Sequence, residues 1–226
     1  MYPDMVKISY QDTMEKYGTD KPDLRFDLPW VGIKKVFADS DFSAFSSVAK
    51  KDNSRIQALV VKGGADKFSR SELDKIQKIG RSFGLPGIAY IQYFKAGAKS
   101  PIFKFLGEQK SVEVKEFLDA ETGDLVLFLA HEDKDLIYKA QNKIRTHIAN
   151  KLDLIDENKL CFVWIHEFPF FEKDEKTGQL DFSHNPFSLW QGGLEALLEA
   201  EKNGTLLDLK ARQYDIALNG YEILSG

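Results

Sequence analysis

The sequence predicts an α+β protein, and three observations carry that reading. Between residues 31 and 130, short apolar runs alternate with amphipathic stretches, the pattern of strands packed against helices. From Leu160 onward the texture changes to longer aromatic strands. Near the end of the chain, Gln213-Tyr-Asp-Ile-Ala-Leu-Asn-Gly-Tyr-Glu-Ile-Leu224 sets Asn219-Gly220 between two apolar runs. That pair signals a type I′ hairpin, which needs positive φ at both central residues.

The totals fit this reading. A chain of 226 residues, 43% apolar and 29% charged, can build one large or two small cores. Its apolar runs are too short to span a bilayer, so no membrane partner is expected. Met1-Tyr-Pro-Asp-Met-Val-Lys7 has no hydrophobic signal core, and the single Cys161 has no disulfide partner within the chain. Both features fit a cytoplasmic protein. The net charge of −4 hides an asymmetry: from Lys62 to Lys110, ten basic residues meet four acidic ones, giving +6 there and −10 elsewhere. That segment faces a polyanion or forms a solvated surface.

Taken in order, Ser9 three residues before Asp12 predicts a capped helix that Gly18 stops. Tyr17-Gly-Thr-Asp-Lys-Pro-Asp-Leu-Arg-Phe26 is irregular, because Pro22 keeps Lys21 out of the helical region. This charged loop either binds something or merely connects. Ile33–Ala38 and Arg55–Lys62 read as strands, with a short helix around Phe45–Lys50 between them. Gly63-Gly64 reads as a turn, since it lacks the rest of a phosphate-binding loop. Ser71–Phe83 is an amphipathic helix with Leu73, Ile76, Ile79 and Phe83 on one stripe.

Gly87–Tyr93 reads as a strand closed by a loop through Ser100-Pro101. Phe103–Leu106 and Val112–Leu118 read as short helical or turn segments, 119–124 as a turn and Leu125–Ala130 as a buried strand. A helix over Asp133–Lys151 buries Leu136, Ala140, Ile144 and Ile148, with His147 as a core or boundary residue. The strand Phe162–Phe168 is expected to pair with Gln179–His184 across a loop at 174–178, and a helix follows at 193–202.

In the terminal hairpin a two-residue loop pairs Leu218 with Tyr221, Ala217 with Glu222, Ile216 with Ile223 and Asp215 with Leu224. One face, expected to be the buried one, then carries Ile216, Leu218, Tyr221 and Ile223, and the opposite face carries Asp215, Ala217, Glu222 and Leu224. Asp215 and Glu222 become diagonal neighbours about 7–8 Å apart. They either share one Mg²⁺, which takes one or two protein carboxylates, or form a solvated edge.

Three patches resemble bacterial aspartyl-tRNA synthetase, a class II enzyme: Tyr17-Gly-Thr-Asp-Lys-Pro-Asp-Leu-Arg25, Phe168-Pro-Phe-Phe-Glu172 with His184-Asn-Pro-Phe187, and Tyr214-Asp-Ile-Ala-Leu-Asn-Gly-Tyr-Glu222. Lys35-Val-Phe-Ala38, Gly63-Gly-Ala65, Gly87-Ile-Ala-Tyr90, Ser100-Pro101 and Leu127-Phe-Leu129 resemble the GAD insertion of those enzymes. The resemblance implies a catalytic segment following motif 2 at 1–30, a GAD-like insertion domain at 31–130 and a catalytic segment preceding motif 3 at 131–226. It implies part of a class II antiparallel sheet with helices beside the insertion.

It further implies ATP and Mg²⁺ as cofactors and L-aspartate and tRNA as partners, in a homodimeric parent enzyme. His184 would contact the amino acid, Glu222 would bind ATP and Mg²⁺, and Asp215 would be its acidic partner at the metal. Asn185 departs from a His-His-Pro-Phe pattern. Motif 2 with its arginine, motif 3 and the anticodon-binding domain are not in this sequence. The expectation is therefore an excised piece with no complete catalytic set, inactive alone. The alternative is a non-catalytic RNA-contacting module centred on 31–130, with Tyr90, Tyr93 or Phe94 stacking on bases where exposed.

Overall fold

The computed structural model describes residues 5–174 and 177–226. Strand β1 (Val6–Ser9) runs directly into helix α1 (Tyr10–Tyr17). β2 (Trp30–Gly32) leads through a 3₁₀ turn at Lys34–Phe37 to α2 (Ser43–Ala49). β3 (Arg55–Val61) precedes α3 (Arg70–Ser82), and the β4 (Ala89–Phe94) and β5 (Gly97–Lys99) hairpin precedes α4 (Phe103–Phe117). β6 (Leu125–His131) leads to α5 (Lys134–Lys151). After β7 (Phe162–His166), β8 (Phe171–Lys173) and β9 (Leu180–Phe182) come α6 (Gly193–Asn203), β10 (Tyr214–Leu218) and β11 (Tyr221–Ser225). The α+β class read from the sequence is the observed one.

The chain divides into two compact units. The larger comprises residues 15–19 and 26–155 and holds an antiparallel sheet in the order β2-β3-β6-β4-β5. β3 and β6 are buried almost continuously rather than alternately, so helices cover both faces. Phe37, Phe45 and Phe128 meet edge-to-face in the core beside Ile56, Ile91 and Val126. Ser69 caps α3 by accepting from the Glu72 backbone N–H, and Leu73 and Ile76 turn inward.

Four sequence expectations change here. The strand expected over Ile33–Ala38 ends at Gly32, and Val36 and Phe37 reach the core from the 3₁₀ turn. The loop through Ser100 contains the short strand β5. The two segments after it are helical rather than turns, and Gly107, whose φ of 70° no helix allows, separates them within α4. The unit also runs past residue 130 to Ile155, because Ile137, Ala140, Ile144 and Ile148 of α5 complete its core.

The smaller unit comprises residues 1–14, 20–25 and 156–226. Its sheet has the order β1-β7-β10-β11, antiparallel except that β1 runs parallel to β7. Val163, Ile165, Phe168, Phe170 and Ala217 form its core. Gln179–His184 does not pair with β7. Glu167 adopts a positive φ of 59° and Pro169 lacks an N–H, so the strand breaks and restarts as β8, which pairs with β9. The loop expected at 174–178 lies partly outside the described residues, as does the opening Met1–Asp4 of the N-terminal reading.

Candidate functional site

The terminal hairpin is built around Asn219 and Gly220, with φ values of 51° and 90°, as a type I′ turn requires. Asn219 anchors the turn to the start of β7: its Oδ1 accepts from Cys161 N at 2.9 Å and its Nδ2 donates to Lys159 O at 2.9 Å. Leu218 pairs with Tyr221 and Ala217 with Glu222, as the sequence predicts.

Beyond that the register departs from expectation. A bulge at Ile223 pairs Ile216 with Leu224 and Asp215 with Ser225. Leu224 therefore takes the place expected for Ile223, and Ser225 the place expected for Leu224. The buried face is also the reverse of a simple apolar reading. Asp215 is 2% exposed and Ala217 is fully buried, whereas all of β11 is exposed. The outer strand is an edge with nothing packed over Tyr221, Ile223 or Leu224 among the described residues.

Asp215 and Glu222 share the Ala217 face but have different partners. Asp215 Oδ1 accepts from Ser225 Oγ at 2.7 Å. Glu222 Oε2 lies 3.2 Å from Lys21 Nζ, which also donates to Asp20 at 2.6 Å. Burial lowers the Lys21 pKa, but the two carboxylates outweigh it and hold the ammonium above its ordinary value.

Lys21 comes from the charged loop, and sequence reasoning missed its role although it lies in one of the motifs quoted above. The rest of that loop is also ordered by charge. Arg25 forks onto Asp23 at 3.0 and 2.8 Å and reaches Glu157 at 2.9 Å. Hydrogen bonding to Asp23 is the largest influence on the Arg25 guanidinium and holds its pKa above the usual value.

Among the described residues no group of three or more His, Cys, Asp or Glu side chains is placed to hold a metal. Two carboxylates on one hairpin face still fit Mg²⁺, which fills most of its octahedron with water and phosphate oxygens. The donor set is hard oxygen only, and Lys21 fixes the position of Glu222.

His184 follows β9 and is exposed. Its ring meets Phe168 edge-on at 4.9 Å and Tyr10 at 5.8 Å. Nδ1 lies 2.8 Å from Ser183 Oγ, whose hydroxyl donates to Glu172 at 3.1 Å. With that proton committed, the Ser183 oxygen is free to accept from a hydrogen on Nδ1, and in that tautomer Nε2 is the acceptor. These partners are distinct from those of Asp215 and Glu222. Asn185 shapes the next turn, its Oδ1 accepting from Phe187 N at 2.9 Å, which presents Phe187 almost fully to solvent.

In the larger unit Asp124 accepts from Gly63 N and Glu121 N, both at 2.8 Å, so the Gly63-Gly64 turn serves a protein carboxylate. Of the aromatic candidates, Tyr93 is buried and donates to Ser111 O at 3.0 Å, and burial raises its pKa. Lys99 covers the Phe94 ring at 4.9 Å. Tyr90 is half-buried at the surface. His147 is a half-buried boundary residue whose pKa burial lowers. No helix among the described residues is long and apolar enough to cross a membrane.

Residues 45–141 match the GAD domain family. Over 222 residues the chain is 43% identical to the aspartate–tRNA(Asp/Asn) ligase of Rickettsia bellii, covering 98% of this chain and 36% of that protein. The ligase of the same name from Prosthecochloris aestuarii is 42% identical over 220 residues, 97% of this chain and 35% of that protein. The chain thus spans about a third of the length of the curated relatives it matches. Residues 45–141 are thus similar to the GAD domain, and nearly the whole chain is similar to part of these aspartate–tRNA(Asp/Asn) ligases.

Proposed function

We propose that this chain works as part of a class II aspartate–tRNA ligase, which activates aspartate with ATP and passes the aspartyl group to tRNA. The observation that carries the reading is the hairpin that sets Asp215 and Glu222 on one face, in a chain related to such ligases along 98% of its length. In this reaction the aspartate carboxylate attacks the α-phosphate of ATP and displaces pyrophosphate, and a hydroxyl at the 3′ end of the tRNA then takes the aspartyl group as AMP leaves. Positioning and charge neutralisation dominate such chemistry.

Glu222, oriented by Lys21, and Asp215, oriented by Ser225, would hold Mg²⁺, which when bound offsets phosphate charge. His184, fixed by Ser183 and braced on Phe168, presents Nε2 to the amino acid substrate. The chain alone is proposed to be inactive, because it matches only 36% of the length of a related ligase. The parent enzyme is proposed to be a cytoplasmic homodimer.

Aspartate-dependent ATP–pyrophosphate exchange tests this. The chain by itself is expected to match a no-protein blank. A longer protein containing it is expected to exchange, and Glu222→Gln in that protein is expected to lower the rate by about 10²-fold. Exchange by the chain alone, or an unaffected Glu222→Gln rate, refutes the respective claim. A second reading, an RNA-contacting role for the GAD-containing unit, is favoured by the cationic groove described next.

A further inference from the structure

A groove of about 600 Å³ in the larger unit is lined by α3 and the β4–β5 hairpin. On α3, Arg70, Asp74, Gln77 and Arg81 all line it, and steps of three and four residues put them on one helix face. Tyr90 from β4 and Lys99 from β5 line it from the sheet. Gln77 is committed to the fold, because its side-chain amide bonds both the N–H and the C=O of Ile88. The charged groups left in the groove are three cations against one carboxylate.

Arg70 and Arg81 are exposed, and neither forms an ion pair among the described residues. Lys75 on the same helix, by contrast, is paired with Glu72 at 2.9 Å. Three helical turns separate the two arginines, about 16 Å at ~1.5 Å per residue. All the groove's cations belong to the segment from Lys62 to Lys110, where basic residues exceed acidic ones by six.

We propose that this groove binds the sugar–phosphate backbone of an RNA strand. Each guanidinium matches a phosphate with a planar fork of donors, and their separation suits several phosphates of one strand rather than a single small anion. The half-buried Tyr90 ring beside them offers a surface for an unpaired base. The proposal rests on the reading that the protein works on RNA, and it adds the place and the residues.

The test is fluorescence anisotropy of this chain with a labelled single-stranded RNA oligonucleotide over a potassium chloride series. Binding is expected to weaken linearly on a log–log plot. Arg70→Gln with Arg81→Gln should lower affinity at least about tenfold and flatten the slope by roughly 1.4, two phosphates' worth on a single strand. Tyr90→Leu should weaken binding several-fold with the slope unchanged. Lys134→Gln with Lys139→Gln, exposed on α5, should change affinity less than about twofold, with circular dichroism melting confirming each fold.

Absence of RNA binding, an unaffected arginine double variant or equal losses in both double variants would overturn the proposal. So would competition by polyglutamate as effective as that of unlabelled RNA, which would make an acidic polypeptide the occupant. Because the readout is RNA binding and not aspartate activation, failure here leaves the exchange assay standing, and failure of the exchange assay leaves this one standing.

Discussion

Ser225 donates its hydroxyl to Asp215 Oδ1 at 2.7 Å, and the bulge at Ile223 is what brings the two residues opposite each other. Ile223, on the exposed edge strand, is 52% exposed, whereas Ala217 is buried. Ile223→Gln is therefore expected to change stability by less than about 0.5 kcal/mol. Ala217→Gln, which forces a larger amide into the core, should cost about 2–4 kcal/mol. Ser225→Ala, which leaves a buried carboxylate oxygen short of a donor, should cost about 1–3 kcal/mol. Urea unfolding of the three variants checks the register, and equal losses for Ile223 and Ala217 would contradict it.

The Lys21–Glu222 pair predicts a pH dependence. The folded-state pKa of Lys21 lies above its ordinary value of 10.5. Its stabilisation is thus complete below that value and is lost as pH rises through the higher folded one. Both partners are about one-third exposed, so screening keeps the contribution below about 1 kcal/mol. The melting-temperature gap between the native chain and Lys21→Met should be constant from about pH 7 to about pH 9 and shrink above about pH 11. A gap that grows with pH would sink the assignment.

Arg145 is fully buried and holds the segment before β2 in place. It donates to Phe26 O at 2.8 Å and Leu28 O at 3.1 Å, with its guanidinium 4.0 Å from the Phe26 ring and 4.7 Å from that of Tyr17. Arg145→Leu strands these carbonyls and should cost on the order of 3–5 kcal/mol. Arg145→Lys should recover little of this, because it lacks the planar fork. For the same reason a segment of residues 15–155 should melt cooperatively, whereas 31–130, which lacks α5, should not.

Gly18 and Gly107 share a φ of 70° but differ in surroundings. A Cβ at Gly18 would lie 2.2 Å from Tyr138 O, and one at Gly107 would meet nothing within 4 Å. Gly107→Ala should cost only the left-handed strain, about 1–2 kcal/mol. Gly18→Ala must also displace the backbone of α5 and should cost clearly more. Equal unfolding midpoints would contradict a role for the close approach at Gly18.

The sequence by itself determined the elements whose signals are local. Ser9 and Gly18 bracket α1, Leu73 and Ile76 mark the inner stripe of α3, and Asn219-Gly220 fixes the hairpin turn, because capping, periodicity and positive φ depend on neighbouring residues. The quoted motifs also carried the relationship to aspartate–tRNA ligases, which identity along the chain supports.

Only the tertiary structure decided what distant partners control. The pairing of β7 with β1 and β10, the exposed side of the hairpin, the Lys21–Glu222 ion pair and the attachment of α5 to the GAD-containing unit are choices among many strands and faces of similar local character. A bulge at Ile223 carries no residue-level signature. The face that Ala217 presents is decided instead by the pairing of β10 with β7, which lays Ala217 beside Val163 and Ile165 in the core and leaves β11 as the exposed edge.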